Sequence, residues 1–420
     1  MTPLLAMPAF AQDEVPTLDT GDTAWMLISC ALVLLMVPGL ALFYGGMVRR
    51  KNVLSSMMHS FVSLGVSTIH WVVVGYSLAF GSSIGGLFGN PMDKFLLIGI
   101  TPDTLAGSYP ELVFVMFQGM FAIITPALIS GALAERVKLR SYIVFILLWN
   151  TFVYCPLAHW VWGGGWLTGD ALDFAGGTVV HLSSGISALM LALLLGKRLT
   201  YPSREFIPHN LTMTLLGAGL LWFGWFGFNA GSALAASSSA GLALATTHVA
   251  AAAGIIGWLF AERLHAGHAS ALGAASGLVA GLVGVTPAAG FVEPWAAMII
   301  GVTTGAFCYG GVLLKGKLGY DDSLDAFGVH GIGGAWGAIA TGIFATVGAS
   351  SLIHTQEGGI SGVAQFTHQI VGVAAAGAFA AVVTVILYFA IKAVMGFRVD
   401  ENAEMAGLDQ SEHGEVGYTL

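Results

Sequence analysis

Residues 173–181 read DFAGGTVVH, and residues 322–330 read DSLDAFGVH. Each segment begins with an Asp, ends with a His eight positions later and leads into a long apolar stretch. The first opens the fifth apolar stretch of the chain, and the second opens the tenth. Because an odd number of crossings separates them, the two copies would run in opposite directions through a membrane, which is the arrangement of an inverted repeat.

Working outward from these segments, the chain divides into eleven apolar stretches, each of about the 20 residues that a membrane-spanning helix requires or longer. Their predicted bounds are 24–47, 53–80, 110–134, 142–163, 174–196, 210–232, 240–262, 269–287, 292–314, 327–348 and 364–395. We therefore predict an all-α polytopic membrane protein with eleven transmembrane helices. The five-plus-five inverted repeats cover about 24–196 and 210–348, and 364–395 is an extra helix.

The composition supports this class and argues against others. Of the 420 residues, 56% are hydrophobic and 9% are charged, against about 25% charged residues in soluble domains. No basic stripe suggests nucleic acid. The three Cys residues all lie in apolar stretches, where Cys is usually a small hydrophobic residue, so we expect no disulfide and no metal site.

The basic residues indicate the orientation. Every Lys and Arg except Lys94 follows an odd-numbered stretch, beginning with Arg49, Arg50 and Lys51. Basic residues are retained on the cytoplasmic side of a membrane. We therefore predict the amino end outside, and the carboxyl end, with a polar tail at 399–420, in the cytoplasm.

The first residues resemble the end of a secretory leader. Ala9, Phe10 and Ala11 form a small-x-small cleavage pattern after a short apolar run, although a basic n-region is missing. We interpret residues 1–11 as a truncated signal peptide, with chance as the alternative. The transmembrane domain would then be 12–398, in a bacterial inner membrane.

The strongest candidates for function are His181 and His330, because ionisable groups inside a membrane are expensive and usually functional. Eight residues of helix rise about 12 Å, so each His would lie about that far from its own face, and the two would meet near mid-membrane. Two facing imidazoles can share one proton and line a passage for a small, uncharged, polar molecule. The alternative is a packing role. Asp173 has the position of a helix N-cap, and its carboxylate can at the same time favour a cation near the vestibule.

Aromatic residues gather at the predicted outer ends of the stretches. Trp162 closes the fourth stretch, Phe228 and Ser232 lie one turn apart in the sixth, and Phe117 and Phe121 lie one turn apart in the third. Together they suggest a cation–π cage with one hydroxyl acceptor, followed by an apolar constriction. The alternative is the aromatic belt at the membrane interface, which we expect to explain Trp160, Trp166 and Trp225.

Several of these motifs occur together in one known family. DFAGGTVVH, GWFGFNAGS and DAFGVHG, with GALAER after the third stretch and PHN before the sixth, resemble the ammonium transporter family. The likeness runs from GLALFYGGMVRRKN to the tail EMAGLDQSEHGEVGY, which is nearly the whole chain. It implies a pseudo-twofold inverted repeat and a homotrimer with one pore per subunit. A cytoplasmic nitrogen-signalling protein of the PII family blocks many bacterial relatives, and the similar tail extends that expectation to this chain.

The resemblance also implies roles for eight residues along one path. From outside to inside they are an ammonium site at Trp162, Ser232 and Phe117 with Asp173 beside it, a gate at Phe121 and Phe228, and twin pore histidines at His181 and His330. The related Rhesus-type proteins generally lack the Trp and Ser of the outer site. Trp162 and Ser232 therefore favour the ammonium branch.

The predicted function is an ammonium transporter that binds the ion outside, removes its proton and passes neutral ammonia along the histidines. An unpaired ion in a dry passage costs tens of kcal/mol by Born estimates, whereas a neutral amine forfeits only its hydrogen bonds. We expect no enzyme activity and no cofactor. One alternative is an ammonium sensor that signals through its cytoplasmic face, but only about twenty residues follow the last stretch, which favours transport. A passive gas channel is the other.

Overall fold

The computed structural model describes residues 17–202, 206–345 and 363–419. Within these ranges, nine helices are long and apolar enough to cross a membrane. They are α1 (Thr20–Met47), α2 (Arg50–Phe80), α3 (Glu111–Leu133), α4 (Leu139–Val161), α5 (Gly177–Leu195), α6 (Leu211–Ala230), α7 (Ser238–Ala266), α9 (Pro294–Leu318) and α11 (Val363–Met395). The prediction of a polytopic helical membrane protein is confirmed at this level.

Two shorter apolar helices lie at the eighth and tenth predicted spans. They are α8 (Ala271–Val285) and α10, which joins Phe327–Gly331 to Ile332–Phe344. The 15 residues of α8 span about 22 Å at 1.5 Å per residue, which is less than the roughly 30 Å of a hydrocarbon core. The count of eleven crossings therefore stays a prediction. The predicted leader, 1–11, and the end of the tenth predicted span beyond 345 lie outside the described residues.

Glycines let neighbouring helices pack closely, as is usual in lipid. A Cβ atom at Gly281 of α8 would lie 2.2 Å from the carbonyl oxygen of Ala250 in α7. A Cβ atom at Gly305 of α9 would lie 2.3 Å from the carbonyl oxygen of Gly254, also in α7. Backbones at these crossings touch directly, so no larger residue fits there without a shift.

One end of the bundle carries the basic loops, and we call it the basic end. Glu135, after α3, forms ion pairs with Arg49 (2.9 Å) and Arg198 (3.1 Å). Asp321, before α10, pairs with Arg198 (2.8 Å) and Arg136 (3.1 Å). Burial alone would raise the pKa of Asp321, but the hydrogen bonds from Arg198 and the charge of Arg136 hold that pKa below its ordinary value. Loops that follow odd-numbered helices therefore meet at one end of the molecule.

The predicted tail folds onto this basic end as α12 (Glu401–Ala406) and α13 (Leu408–His413). The carboxylate of Asp409 accepts the backbone N–H of Ser55 at 2.8 Å, near the start of α2. At the opposite end, the loop between α2 and α3 holds two small antiparallel hairpins and a 3₁₀ turn. These are β1 (Ser83–Ile84) with β2 (Phe88–Gly89), β3 (Leu105–Ala106) with β4 (Tyr109–Pro110), and Phe95–Leu97.

Candidate functional site

The segment that precedes α5 is organised by one buried carboxylate. Asp173 accepts the backbone N–H groups of Gly176 (2.8 Å), Gly177 (2.6 Å), Thr178 (2.8 Å) and Val179 (3.2 Å), and also the Thr178 hydroxyl. These are donors that a helix start leaves unpaired. The helix begins only at Gly177, after Gly176 at φ +114°. Our premise of eight helical residues between Asp173 and His181 is therefore wrong, because the first four are a cap and a turn.

The segment that precedes α10 follows the same plan with fewer bonds. The carboxylate of Asp322 accepts the backbone N–H groups of Ala326 (3.1 Å) and Phe327 (2.8 Å). Burial raises the pKa of Asp322 to about 6, and the neighbouring Asp325 carboxylate adds to the shift. Asp325 itself forms an ion pair with Lys315. Asp322 is therefore a helix cap, and Asp325 is a loop contact.

Both candidate histidines lie in π-helical turns, Gly177–Leu182 and Phe327–Gly331. Such turns are rare and are frequent at functional sites. The Nδ1 atoms of His181 and His330 are 3.3 Å apart, and the ring planes are tilted by only 18°. Only one of two neutral imidazoles can donate through that contact, so the pair shares a single proton between the two Nδ1 atoms.

The histidines can meet because their helices cross at glycines. A Cβ atom at Gly185 of α5 would lie 2.1 Å from the backbone nitrogen of Gly331 in α10. A Cβ atom at Gly334 would lie 2.7 Å from the carbonyl oxygen of Gly177 and 3.0 Å from the Cβ of His181. The backbone contact itself therefore sets the separation of the two rings.

A narrow cavity, which we call the histidine cavity, lies beside this pair. Its volume is about 10 Å³, close to the smallest space that holds one water molecule. Apart from the two imidazoles and one indole, its walls are aliphatic or phenyl side chains, among them Met36, Leu40, Leu221 and Val279. A small molecule with one or two hydrogen bonds fits this lining better than an ion does.

A second cavity, the aromatic cavity, lies at the end of the bundle opposite the basic end. It measures about 210 Å³, and three of the predicted residues line it: Trp162, Ser232 and Phe121. Phe117 and Asp173 are not among its lining residues. The Phe117 ring is fully buried behind Phe121, with ring centroids 5.1 Å apart, and the Asp173 carboxylate is used in the cap.

Two polar side chains of the aromatic cavity, Trp162 and Ser232, donate to backbone oxygens. Trp162 Nε1 donates to the carbonyl oxygen of Asp173 at 2.9 Å. The Ser232 hydroxyl donates to the carbonyl oxygen of Phe228 at 2.8 Å. Because its proton is used in that bond, the Ser232 oxygen presents lone pairs, and it can accept from a cation that carries N–H groups.

A pair of phenyl rings separates the two cavities. The centroids of Phe121 and Phe228 are 4.3 Å apart. Phe121 lines the aromatic cavity, Phe228 lines the histidine cavity, and the Phe228 ring lies parallel to His181 within 25°. Any direct passage between the cavities requires these rings to move.

The sequence did not indicate every residue of the site. Trp225, which we interpreted as an interfacial aromatic residue, is buried against His181 with ring centroids 5.3 Å apart and lines the histidine cavity. That interpretation is wrong, because Trp225 faces the interior of the bundle and donates to the Thr286 hydroxyl. Gln118 lines the aromatic cavity. Its amide between Phe117 and Phe121 was a usable signal.

Comparison with known proteins identifies the sequence relatives. The model of the Ammonium Transporter Family matches residues 24–418. The chain is 49% identical to a protein of Bacillus subtilis named ammonium transporter, over 96% of this chain and 99% of the relative. It is 48% identical to an ammonium transporter of Aquifex aeolicus, over 98% and 96% of the two chains.

Solved structures give the same answer. The crystal structure of Saccharomyces cerevisiae Mep2 is 38% identical, with a TM-score of 0.84 over 92% of this chain and 89% of that one. A structure described as a sensor Amt protein is 30% identical, with a TM-score of 0.86 over 94% and 98%.

Proposed function

The chain belongs to the ammonium transporter family, and from that premise we propose that it takes up ammonium and conducts its nitrogen across the membrane as ammonia. The observation that carries the proposal is the buried pair of His181 and His330, 3.3 Å apart beside a passage that is otherwise apolar. In this proposal the aromatic cavity is the entrance, the rings of Phe121 and Phe228 are the gate, and the histidine cavity is the pore.

Recognition takes place in the aromatic cavity. The indole of Trp162 attracts a cation through its π face, worth about 0.5–2 kcal/mol, and the oxygen of Ser232 accepts one N–H bond. Potassium is similar in size to ammonium but cannot donate, so the hydroxyl favours ammonium. Phe117 supports the cavity from behind Phe121. Asp173 contributes by holding the indole nitrogen through its backbone oxygen, and its negative charge also favours a cation at this end.

Passage beyond the gate is as the neutral molecule. Space of about 10 Å³ with apolar walls offers an ion no substitute for its hydration shell, so the ion gives up its proton to water on the side of the aromatic cavity before it reaches the histidines. Ammonia can then accept from one imidazole and donate to the other, and the pair is neutral because each ring carries one proton.

The membrane arrangement is proposed on the same basis. Eleven helices cross the bilayer, and α1–α5 and α6–α10 are inverted repeats, supported by the matched caps and π-helical turns before His181 and His330. The basic end faces the cytoplasm, the amino end is outside, and three copies form a homotrimer in the bacterial inner membrane. We further propose a cleaved leader at 1–11, a transmembrane domain at 12–398 and a cytoplasmic tail at 399–420.

A second candidate is an ammonium sensor, favoured by the similarity to the structure described as a sensor Amt protein. In that case, ammonium bound in the aromatic cavity would be reported through the basic end, where the tail packs against α2. The same surface would be the docking site for a PII-type protein. The two candidates differ in whether substrate crosses the membrane.

The test is transport by the purified protein in liposomes. We expect the vesicles to take up ammonium, to take up methylammonium more weakly, and to take up no potassium at the same concentration. Currents recorded on the same vesicles separate the movement of charge from the movement of neutral gas. Binding of ammonium without any uptake would contradict transport and support the sensor.

A further inference from the structure

Helix α11 lies outside both proposed repeats, yet it buries two amide side chains near its start. Gln365 and Gln369 are each 1% exposed, although much of α11 faces outward. A buried amide without partners costs about 1–3 kcal/mol, so these side chains are expected to have specific partners. Both of them do, and the partners include the backbone just before Asp173.

Gln369 grips one residue of the segment before α5 and one residue of α10. Its Oε1 accepts the backbone N–H of Leu172 at 2.7 Å, and its Nε2 donates to the carbonyl oxygen of the same residue at 2.8 Å. The same Nε2 also donates to the carbonyl oxygen of Ala338 in α10 at 2.8 Å. The paired hydrogen bonds to Leu172 fix the orientation of the Gln369 amide, because only Oε1 can accept from a backbone N–H.

Gln365 holds Gln369 from one turn away on α11. Its Nε2 donates to Gln369 Oε1 at 3.1 Å and to the carbonyl oxygen of Asp170 at 3.0 Å. The two amides therefore fix residues 170 and 172, the backbone immediately before Asp173.

From these contacts we infer that Gln369 is a positioning residue for ammonium recognition, acting through Leu172 and Asp173 on Trp162. The carbonyl oxygen of Asp173 holds Trp162 Nε1, and its carboxylate begins the helix that carries His181. Through Ala338, the same amide ties this segment to the helix that carries His330. The inference rests on the proposed function. It explains why a helix outside the repeats is needed at the entrance.

Replacing Gln369 with Leu keeps the size of the side chain and removes all of its hydrogen bonds. We expect the ammonium concentration for half-maximal uptake to rise roughly fivefold to twentyfold, while the maximal rate changes less than about twofold, because the pore itself is intact. Gln369→Glu keeps one acceptor but places a carboxylate against two carbonyl oxygens, so we expect it to shift KM as well. Gln365→Leu should shift KM in the same direction by less.

The control is Thr367→Val on the same helix. Thr367 is exposed, and its hydroxyl bonds only the carbonyl oxygen of Val363 in its own helix, so we expect unchanged KM and maximal rate. Uptake by the parent protein in the same vesicles tests the proposed function separately. Thermal unfolding of each variant in detergent shows whether it is folded.

A double variant distinguishes positioning from general support. If Gln369 acts through Trp162, then Trp162→Leu combined with Gln369→Leu should raise KM no more than the worse single change, because coupled sites are not additive. Full additivity of the two KM changes would overturn the inference. So would an unchanged KM in Gln369→Leu, or a fall in maximal rate alone.

Discussion

The segments 173–181 and 322–330 share a scaffold but differ in their surroundings. In both, an Asp caps the start of a π-helical turn. The fifth residue of the first turn, His181, contacts the fourth residue of the second, His330. Close to Asp173 lie the indole of Trp162 and the hydrogen-bonded amides of Gln365 and Gln369 on α11. Asp321, which precedes Asp322, forms buried ion pairs with Arg136 and Arg198.

Under the proposed function, this difference separates what the pore requires from what each end requires. The repeated part, a cap followed by a turn and a His, delivers one imidazole from each half to the same point. The unrepeated parts give one end an aromatic cavity suited to a cation and give the other end a fixed set of ion pairs. Changes to the shared scaffold should therefore affect conduction most, and changes to one end should affect only its own property.

The largest effect is expected where the two copies touch. Gly185→Ala would place a Cβ atom 2.1 Å from the backbone of Gly331, so α5 and α10 must separate, which costs about 1–3 kcal/mol in stability. We expect ammonium uptake to fall more than about tenfold, because misaligned histidines that raise the barrier to conduction by about 1.4 kcal/mol already lower the rate by that factor.

The matched control is Gly219→Ala, since nothing lies within 4 Å of a Cβ atom at that position. It should leave both uptake and thermal stability unchanged. If Gly185→Ala transports as well as the control does, the backbone crossing does not set the histidine geometry.

The next effect compares the two caps. Asp173→Ala leaves four backbone N–H groups without their acceptor, whereas Asp322→Ala leaves two. Loss of a cap costs about 0.5–2 kcal/mol. We expect Asp173→Ala to lower both stability and low-concentration uptake more than Asp322→Ala. Thermal midpoints and uptake curves for the pair, measured side by side, would contradict the comparison if the order were reversed.

A smaller effect is expected at the entrance alone. Trp162→Leu removes the cation–π contact, worth about 0.5–2 kcal/mol, but leaves the gate and histidines in place. Uptake should weaken at low ammonium concentration, while the maximal rate is unchanged or higher, because release inward becomes easier. Concentration curves for ammonium with and without competing potassium measure this. Identical curves for parent and variant would make Trp162 an interfacial residue only.

Individual elements show which features of the fold and the site the sequence predicts. Hydrophobic length located the end of α11, because the predicted span ends at 395 and the helix ends at Met395. The repeat predicted that His181 and His330 meet, which they do, although the predicted helix length before His181 is wrong. Hydropathy could not reveal that the first residues after Asp173 are a turn, because a cap geometry depends on where the carboxylate bonds.

Most features that the sequence does not predict depend on tertiary contacts. Trp225 and Trp166 look alike in sequence, yet only Trp225 faces the interior, which depends on the rotation of α6. Gln369 is one of several polar residues near the start of an otherwise apolar helix, and its partners at Leu172 and Ala338 are distant in sequence. The π-helical turns that carry His181 and His330 shift the helical register locally, so a period of 3.6 residues does not indicate them.

The central claim is that the paired imidazoles let neutral ammonia pass and exclude ions. The most direct measurement is the ratio of ammonium to potassium uptake in liposomes for His181→Ala and His330→Ala, with the exposed His268→Ala as control. We predict loss of selective ammonium uptake in both variants, with potassium leak where water enters the widened lining, and no change in the control. Full and still selective uptake in both variants would contradict the claim.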